Sequence, residues 1–441
     1  MLLLMAMTLV VMACTGVEDM AGTPEQERSA QQLPVAFSAY VNRSTTRGGA
    51  TGQLTTDGTG GTTSLRTEGF GVFGYYTGTA GYSQAALPNF MYNQKVTYNS
   101  TNWEYSPVKY WPNGEGEATG TQNHYLTFFA YAPYVDVNAM GRIDDAPATT
   151  GIDESTTGIT ALTRVGDCGD PMVSYHVNFN PDQQVDLCWA MPREDLTKPS
   201  IADRVAFDFQ HALAALNVQI DADVDVVSHA TSSLDGNTRI WVRSITFEGF
   251  ATKGKLNLNN SASIPHWYGL GCDCDLTSTP ITIYDGRSNR HEGIAQALNE
   301  RPTGLNPALV QSDPYTVTPT FSSTTTGVTT SLVNLFGSSS AADAPIYVIP
   351  TNDPLRVTIE YDVETYDPKL TSQYLSDGRT HGSTIENSIS AYITNGTTPI
   401  VMEAGKQYTL NLHLGVASVK MNASVTPWAD DIGNVDVNVP E

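Results

Sequence analysis

The side chains able to do chemistry are scattered along this 441-residue chain. Its eight histidines are His124, His176, His211, His229, His266, His291, His381 and His413, and no two stand in a metal-spaced pair such as His-x-x-x-His. His211 follows an alternating apolar stretch and reads as a packing or hydrogen-bonding residue rather than a base. Cys272-Asp273-Cys274, with His266 nearby, offers soft ligands, but the spacing is not that of a zinc knuckle and no second cysteine pair is nearby. Asp221-Ala222-Asp223-Val224-Asp225 copies the first ligands of a calcium loop. Val226 stands where that loop needs its glycine and Ser232 where it needs its glutamate, so the stretch reads as a solvated strand face. No Gly-x-Ser-x-Gly and no phosphate-binding glycine loop occur. Carboxylates abound, but nothing in the sequence sets two of them across a cleft. No catalytic residue, metal-ligand set or cofactor is legible, and the chain is not expected to be an enzyme.

The informative residues lie elsewhere. From Leu33 to Val41 the chain alternates cleanly, with Val35, Phe37, Ala39 and Val41 on one face and Ala36, Ser38 and Tyr40 on the other. That is a half-buried strand. It then runs into a Gly- and Thr-rich tether over residues 42–66 that carries Arg43, Arg47 and Arg66. A strand fixed permanently in a sheet is usually joined to its partner by a short turn, so this one reads as detachable. On residue types alone, the three arginines are solvated loop positions.

The first residues address the chain to an export route. Leu2 to Ala13 is an apolar run too short to cross a bilayer as a helix, and it reads as a signal-peptide core. No Lys or Arg precedes it. It ends in Val11-Met12-Ala13-Cys14, which resembles a bacterial lipobox, so the mature chain is expected to start at a lipid-modified Cys14 and to be held in the outer membrane by its acyl chains. The remaining cysteines, Cys168, Cys188, Cys272 and Cys274, are even in number in an exported chain. They allow three disulfide connectivities among which the sequence does not choose.

Composition narrows the class. The formal charge of −23 argues against nucleic acid, whose phosphates need clustered Lys and Arg. Richness in Gly, Thr, Ser, Asn and Tyr favours strands and turns. Strands are expected at Phe70–Tyr76, Tyr125–Pro133, Met172–Phe179, Val185–Trp189 and Val205–Phe209. Others are expected at Leu216–Ile220, Arg239–Phe247, Ile346–Pro350, Leu355–Val363, Tyr408–Leu414 and Val419–Val425. Tyr125–Pro133 is mostly apolar and reads as central, buried on both faces. Met191–Asp203 reads as a linker. The division is therefore residues 1–13 signal peptide, 14–32 flexible segment, 33–200 first β-sandwich and 201–441 second, with no strong helix.

At this point the residues resemble the fimbrillin-like lipoproteins of Bacteroides-type bacteria, the subunits of type V pili. The resemblance rests on the lipobox at Cys14 and on four pairs of blocks in family order. These are Val108-Lys109-Tyr110-Trp111-Pro112 with Leu126–Pro133; Gln184-Val185-Asp186-Leu187 with Phe207–Leu213; Ile349-Pro350-Thr351 with Val357–Val363; and Gly405–Leu412 running to Trp428. It implies an all-β chain of two tandem transthyretin-like β-sandwich domains with long loops. It further implies that an arginine-specific protease cuts after the first strand and that a strand from another pilin subunit fills the groove left behind. The cut sites would be Arg47 first, in the small and flexible Thr45-Thr46-Arg47-Gly48-Gly49, then Arg66 and Arg43. The strands that detach, donate or accept would carry Val35, Phe37, Ala39 and Val41 at one end of the chain and Tyr408, Leu410, Leu412 and Leu414 at the other. Four inward apolar residues correspond to roughly 6–12 kcal/mol of transfer free energy.

Two readings in different classes follow: a pilus subunit at the cell surface that supports adhesion, or a non-polymerising surface lipoprotein that binds a host glycan or protein. For the second, Trp103, Trp111 and Trp267 are candidate stacking platforms and Pro265-His266-Trp267-Tyr268 a candidate adhesive surface.

Overall fold

In the computed structural model, the described residues are 33–41, 53–58, 62–112, 124–136, 157–179, 183–197, 204–222, 238–260, 264–271, 274–285, 333–334, 345–367, 369–370, 382–414 and 419–427. The strands in chain order are β1 (Phe37–Val41), β2 (Leu54–Thr55), β3 (Thr63–Ser64), β4 (Phe70–Gly78), β5 (Met91–Tyr98), β6 (Trp103–Glu104), β7 (Tyr125–Ala132) and β8 (Gly158–Leu162). Then come β9 (Met172–His176), β10 (Cys188–Leu196), β11 (Val205–His211), β12 (Ala214–Ala222), β13 (Thr238–Glu248), β14 (Phe250–Ala251), β15 (Lys253–Asn257), β16 (His266–Tyr268) and β17 (Ile281–Asp285). The last are β18 (Val333–Asn334), β19 (Ile346–Pro350), β20 (Arg356–Tyr366), β21 (Gly382–Tyr392), β22 (Thr394–Asn395), β23 (Thr398–Pro399), β24 (Lys406–Leu414) and β25 (Val419–Pro427). Among the described residues the α-helical content is one turn, α1 (Leu65–Glu68). The chain is all-β, with its sheets in a sandwich-like arrangement.

The first sheet runs β1-β11-β10-β7-β4-β5-β6. β7 is central, and its residues divide between two cores. Leu126, Phe128, Ala130 and Ala132 face one way; Phe129 and Tyr131 face the other. A strand apolar at all but one position is stable only when both of its faces are covered. β4 does the same with Phe70 and Val72 on one side and Phe73 and Tyr75 on the other. Its Gly71 is required: a Cβ there would lie 2.3 Å from Cε1 of the buried Tyr131.

This sheet rolls until its edges nearly meet. β1 is one edge, and β6 is the other. Just before β1, Val35 N–H donates to the Lys109 carbonyl (2.9 Å), and Trp111 N–H donates to the Leu33 carbonyl (2.9 Å). Residues 109–111 follow β6, so segment 33–41 lies along the seam. Inside the roll pack Val35, Phe37, Val41, Phe70, Trp111, Phe128, Phe207 and Phe209. Contacts of this kind cover part of the backbone edge that β1 would otherwise expose.

The second core lies outside the roll. It joins the outer face of β4 and β7 to the sheet β16-β15-β9-β8 and to two sheets of the second half, β14-β19-β12-β24-β25 and β17-β13-β20-β21. Leu216, Val218, Tyr408, Leu410 and Leu412 meet Ile245, Phe247, Val357, Ile359 and Tyr361 within it. The period-2 patterns dictate which residues are inside. The division expected at residue 200/201 falls between β10 and β11, which are antiparallel neighbours in the first sheet. Likewise the expected linker Met191–Asp203 is strand as far as Leu196.

Candidate functional site

β1 pairs parallel with β11, Phe37 opposite Val205 through Val41 opposite Phe209. Its inward side chains are those the alternation selected. Val35, Phe37 and Val41 are fully buried, and Ala39 packs partly buried beside them. Phe37 is the anchor: its ring stacks on Phe207 (5.7 Å between centroids) and meets Phe128 edge-on (5.6 Å), with Tyr105 tilted against it (5.4 Å). Tyr105 Oη–H donates to the Val35 carbonyl (2.7 Å) and Val41 N–H to Thr56 Oγ1 (3.0 Å). On the outer face Tyr40 is about half exposed and lies beside Asp208, whose charge raises the Tyr40 phenol above its ordinary value.

The expected tether over 42–66 is not one open stretch. Gln53 and Leu54 are buried, β2 pairs with β3, and Leu65 is fully buried on α1. Arg66 sits on that turn, its guanidinium paired with Asp57 and 4.7 Å from the ring centre of Tyr98. Residues 42–52, with Arg43 and Arg47, and residues 59–61 lie outside the described residues, as does Cys14. Because Val41 bonds Thr56, the chain leaves and returns at the same place.

At the other end, Tyr408, Leu410 and Leu412 are buried on β24. Leu414 ends that strand. β24 is held on both sides, parallel to β12 and antiparallel to β25. The strand at the edge is β25, which among the described residues pairs with β24 alone. Burial raises the Tyr408 phenol to about 12, against the lowering effect of the Glu403 N–H that bonds it.

The fold also assembles a cluster that the sequence did not flag as chemistry. Asp186 and Cys188 stand two apart on the same side of the chain entering β10, and Cys188 lies directly opposite His211 of β11. His211 Nδ1 is 2.8 Å from Asp186 Oδ2 and 3.5 Å from Cys188 Sγ. Leu54 N–H donates to Asp186 Oδ2 (2.8 Å), and Gln53 Nε2 lies 3.4 Å from His211 Nε2. Burial, then the Asp186 charge, pushes the Cys188 thiol well up, so the group stays a thiol and the arrangement does not present an activated nucleophile. The only sequence signal was the i, i+2 pair of Asp186 and Cys188; its partner lies 23 residues further on from Cys188. Cys168 is a free, exposed thiol, and Cys274 is disulfide-bonded.

Trp111 and Trp267 are buried, the latter donating Nε1–H to the Ala212 carbonyl (3.1 Å), so neither is a sugar platform. Trp103 is partly buried against Phe70 and Tyr98. His266 stacks on Tyr268 (4.3 Å) and bonds Asp275. His124 bonds Tyr76, and His176 is buried on β9. His413 lies on β24, while His229, His291 and His381 are outside the described residues.

Residues 55–267, from β2 to β16, match the family model for fimbrillin-like proteins. Over that stretch the chain resembles fimbrillin-like proteins. It is 25% identical to the fimbrium subunit Fim1C of Phocaeicola vulgatus, over 99% of this chain and 98% of that one. A solved fimbrial protein from Bacteroides vulgatus is 21% identical, with a TM-score of 0.47, and the match covers 90% of this chain and 99% of that one. The matched region takes in the rolled sheet from β4 to β11 but starts after β1, so the seam strand lies outside the match.

Proposed function

We propose that the chain is a pilus subunit, exported as a lipoprotein through Cys14, that joins other pilin subunits at the cell surface by exchanging its first strand, in support of adhesion. The observation that carries this reading is β1: a short edge strand at a seam, deeply seated by its side chains and joined to the rest by an excursion that contains arginines. Val35, Phe37 and Val41 bury about 5–9 kcal/mol of transfer free energy at about 1.5–3 kcal/mol each. Removing the strand would uncover that apolar trough together with unpaired backbone on β11 and on residues 109–111, and a strand from another subunit satisfies both.

The geometry supports Arg47 over Arg66 as the cut. A protease takes an extended, accessible stretch. Presenting Arg66 would mean unwinding α1 and drawing Leu65 from the core, whereas a cut at Arg47 leaves residues 53–56 bonded in place. For the donor, β25 is the strand within the C-terminal region that can leave without opening a sheet interior. Tyr408, Leu410, Leu412 and Leu414 on β24 then stay with the body of the sheet as its new edge. We place the division between the two halves at residues 212–213, between β11 and β12, in keeping with the sheet order.

The test is treatment of the purified precursor with an arginine-specific protease, mass spectrometry of the product, and size-exclusion chromatography with electron microscopy. A single cut at Arg47 followed by oligomers or fibres supports the reading. A chain that is cut there and stays monomeric, with β1 still bound, points instead to a surface lipoprotein that binds host glycan or protein without polymerising.

A further inference from the structure

The Asp186, Cys188 and His211 cluster stands apart from the strand-exchange reading and does not depend on it. Its three donors are an oxygen, a sulfur and a nitrogen, all within 4.8 Å of one another. Asp186 is 2% exposed, and its second oxygen, Oδ1, is buried with no hydrogen-bond partner. A buried carboxylate oxygen left unpaired is costly. A cation bound at Oδ2 would draw charge from the whole carboxylate and lower that cost at Oδ1. Cys188 is a free thiol with no disulfide to make.

We propose that Asp186, Cys188 and His211 form a zinc site, with solvent as the fourth ligand. Thiolate, imidazole and carboxylate together suit zinc, a borderline-soft ion that takes four ligands tetrahedrally. With bonds of about 2.3 Å to sulfur and about 2.0–2.1 Å to nitrogen and oxygen, a tetrahedron sets nitrogen and oxygen about 3.3 Å apart and sulfur and nitrogen about 3.6 Å apart. The observed separations are 2.8 Å and 3.5 Å. Replacing the His211–Asp186 hydrogen bond by the ion thus opens the set by about half an ångström on one side. The outer support is present as well. Leu54 N–H holds the Asp186 oxygen, and Gln53 faces the far nitrogen of His211, the position from which second-layer partners orient an imidazole ligand. On binding, the thiol loses its proton to solvent and sulfur bonds the ion. The metal would fasten residues 53–54 to β10 and β11, beside the seam.

The test is zinc content of the full purified protein after equilibration with Zn2+ and removal of loosely held ions, together with the absorption spectrum after loading with Co2+. One zinc per chain and a thiolate-to-cobalt charge-transfer band are expected. Both are expected to be lost in Cys188→Ser and in His211→Gln but kept in Cys168→Ser, which alters the exposed free thiol. The cobalt spectrum of the unaltered protein stands even if the core variants fail to fold. Absence of that band, zinc at well under one per chain, or zinc retained at full content by a folded Cys188→Ser protein would overturn the proposal.

Discussion

Phe37→Ala is the sharpest probe of how the first strand is held. The side chain is fully buried and contacts four aromatic rings, those of Phe70, Tyr105, Phe128 and Phe207. Transfer of a phenylalanine side chain from water accounts for about 1.5–3 kcal/mol. Truncation also leaves a cavity in a rigid aromatic cluster, and such Phe→Ala changes cost about 3–5 kcal/mol. The neighbouring outward residue supplies the control. Tyr40 is 47% exposed, and Tyr40→Ala should cost at most about 1 kcal/mol. Urea unfolding of the intact precursor, followed by far-ultraviolet circular dichroism and tryptophan fluorescence, measures both. The same side chain can be tested in trans. A synthetic peptide of residues 33–41 added to protein that has been cut and stripped of its first strand should rebind, and the Phe37→Ala peptide should bind about 100-fold to several thousand-fold more weakly, the same 3–5 kcal/mol at 1.4 kcal/mol per decade. A Phe37→Ala precursor destabilised by less than about 1 kcal/mol, or a Tyr40→Ala precursor destabilised as much as it, would refute the claim that the alternation seats β1.

Arg47→Ala should abolish the single protease cut and Arg66→Ala should spare it, read by mass spectrometry of the digest. Gly71→Ala should lower stability by about 1–3 kcal/mol, because the added methyl meets the buried, hydrogen-bonded ring of Tyr131; urea midpoints check it. Asp186→Ala should leave the buried Leu54 N–H without its acceptor, costing about 1–3 kcal/mol and accelerating exchange of the Leu54 amide proton in deuterium exchange. The alkaline limb of stability should be steep. The Tyr408 phenol is raised to about 12 in the folded chain against about 10 when unfolded, so its contribution is fully present below about pH 10 and is lost as pH rises through about 12, a loss of order 2–3 kcal/mol. Burial pushes Tyr75, Tyr82, Tyr131 and Tyr175 up as well, so phenolate absorbance and circular dichroism should change together above pH 10. Full ionisation of all tyrosines near pH 10 with the fold intact would contradict it.

By itself, the sequence determined which residues face inward. The side-chain period of a strand is two whatever its neighbours are, so Val35, Phe37 and Val41, or Val357, Ile359 and Tyr361, could be assigned to a core from spacing alone. It also determined that β7 is central, since a mostly apolar strand must be covered on both faces. Strands of polar or mixed composition escaped. β5 and β21 lie at or near sheet edges, where one face meets solvent and the pattern weakens. Pairing was decided only by the tertiary structure. That β1 runs parallel to β11, that residues 109–111 close the seam from the other side, and that β24 is interior while β25 is the edge follow from contacts between residues far apart in the chain, which no local pattern encodes. For the same reason Asp186, Cys188 and His211 were invisible as a set. The register of β10 on β11 brings them together, and register is fixed by how two apolar faces fit against the cores on either side.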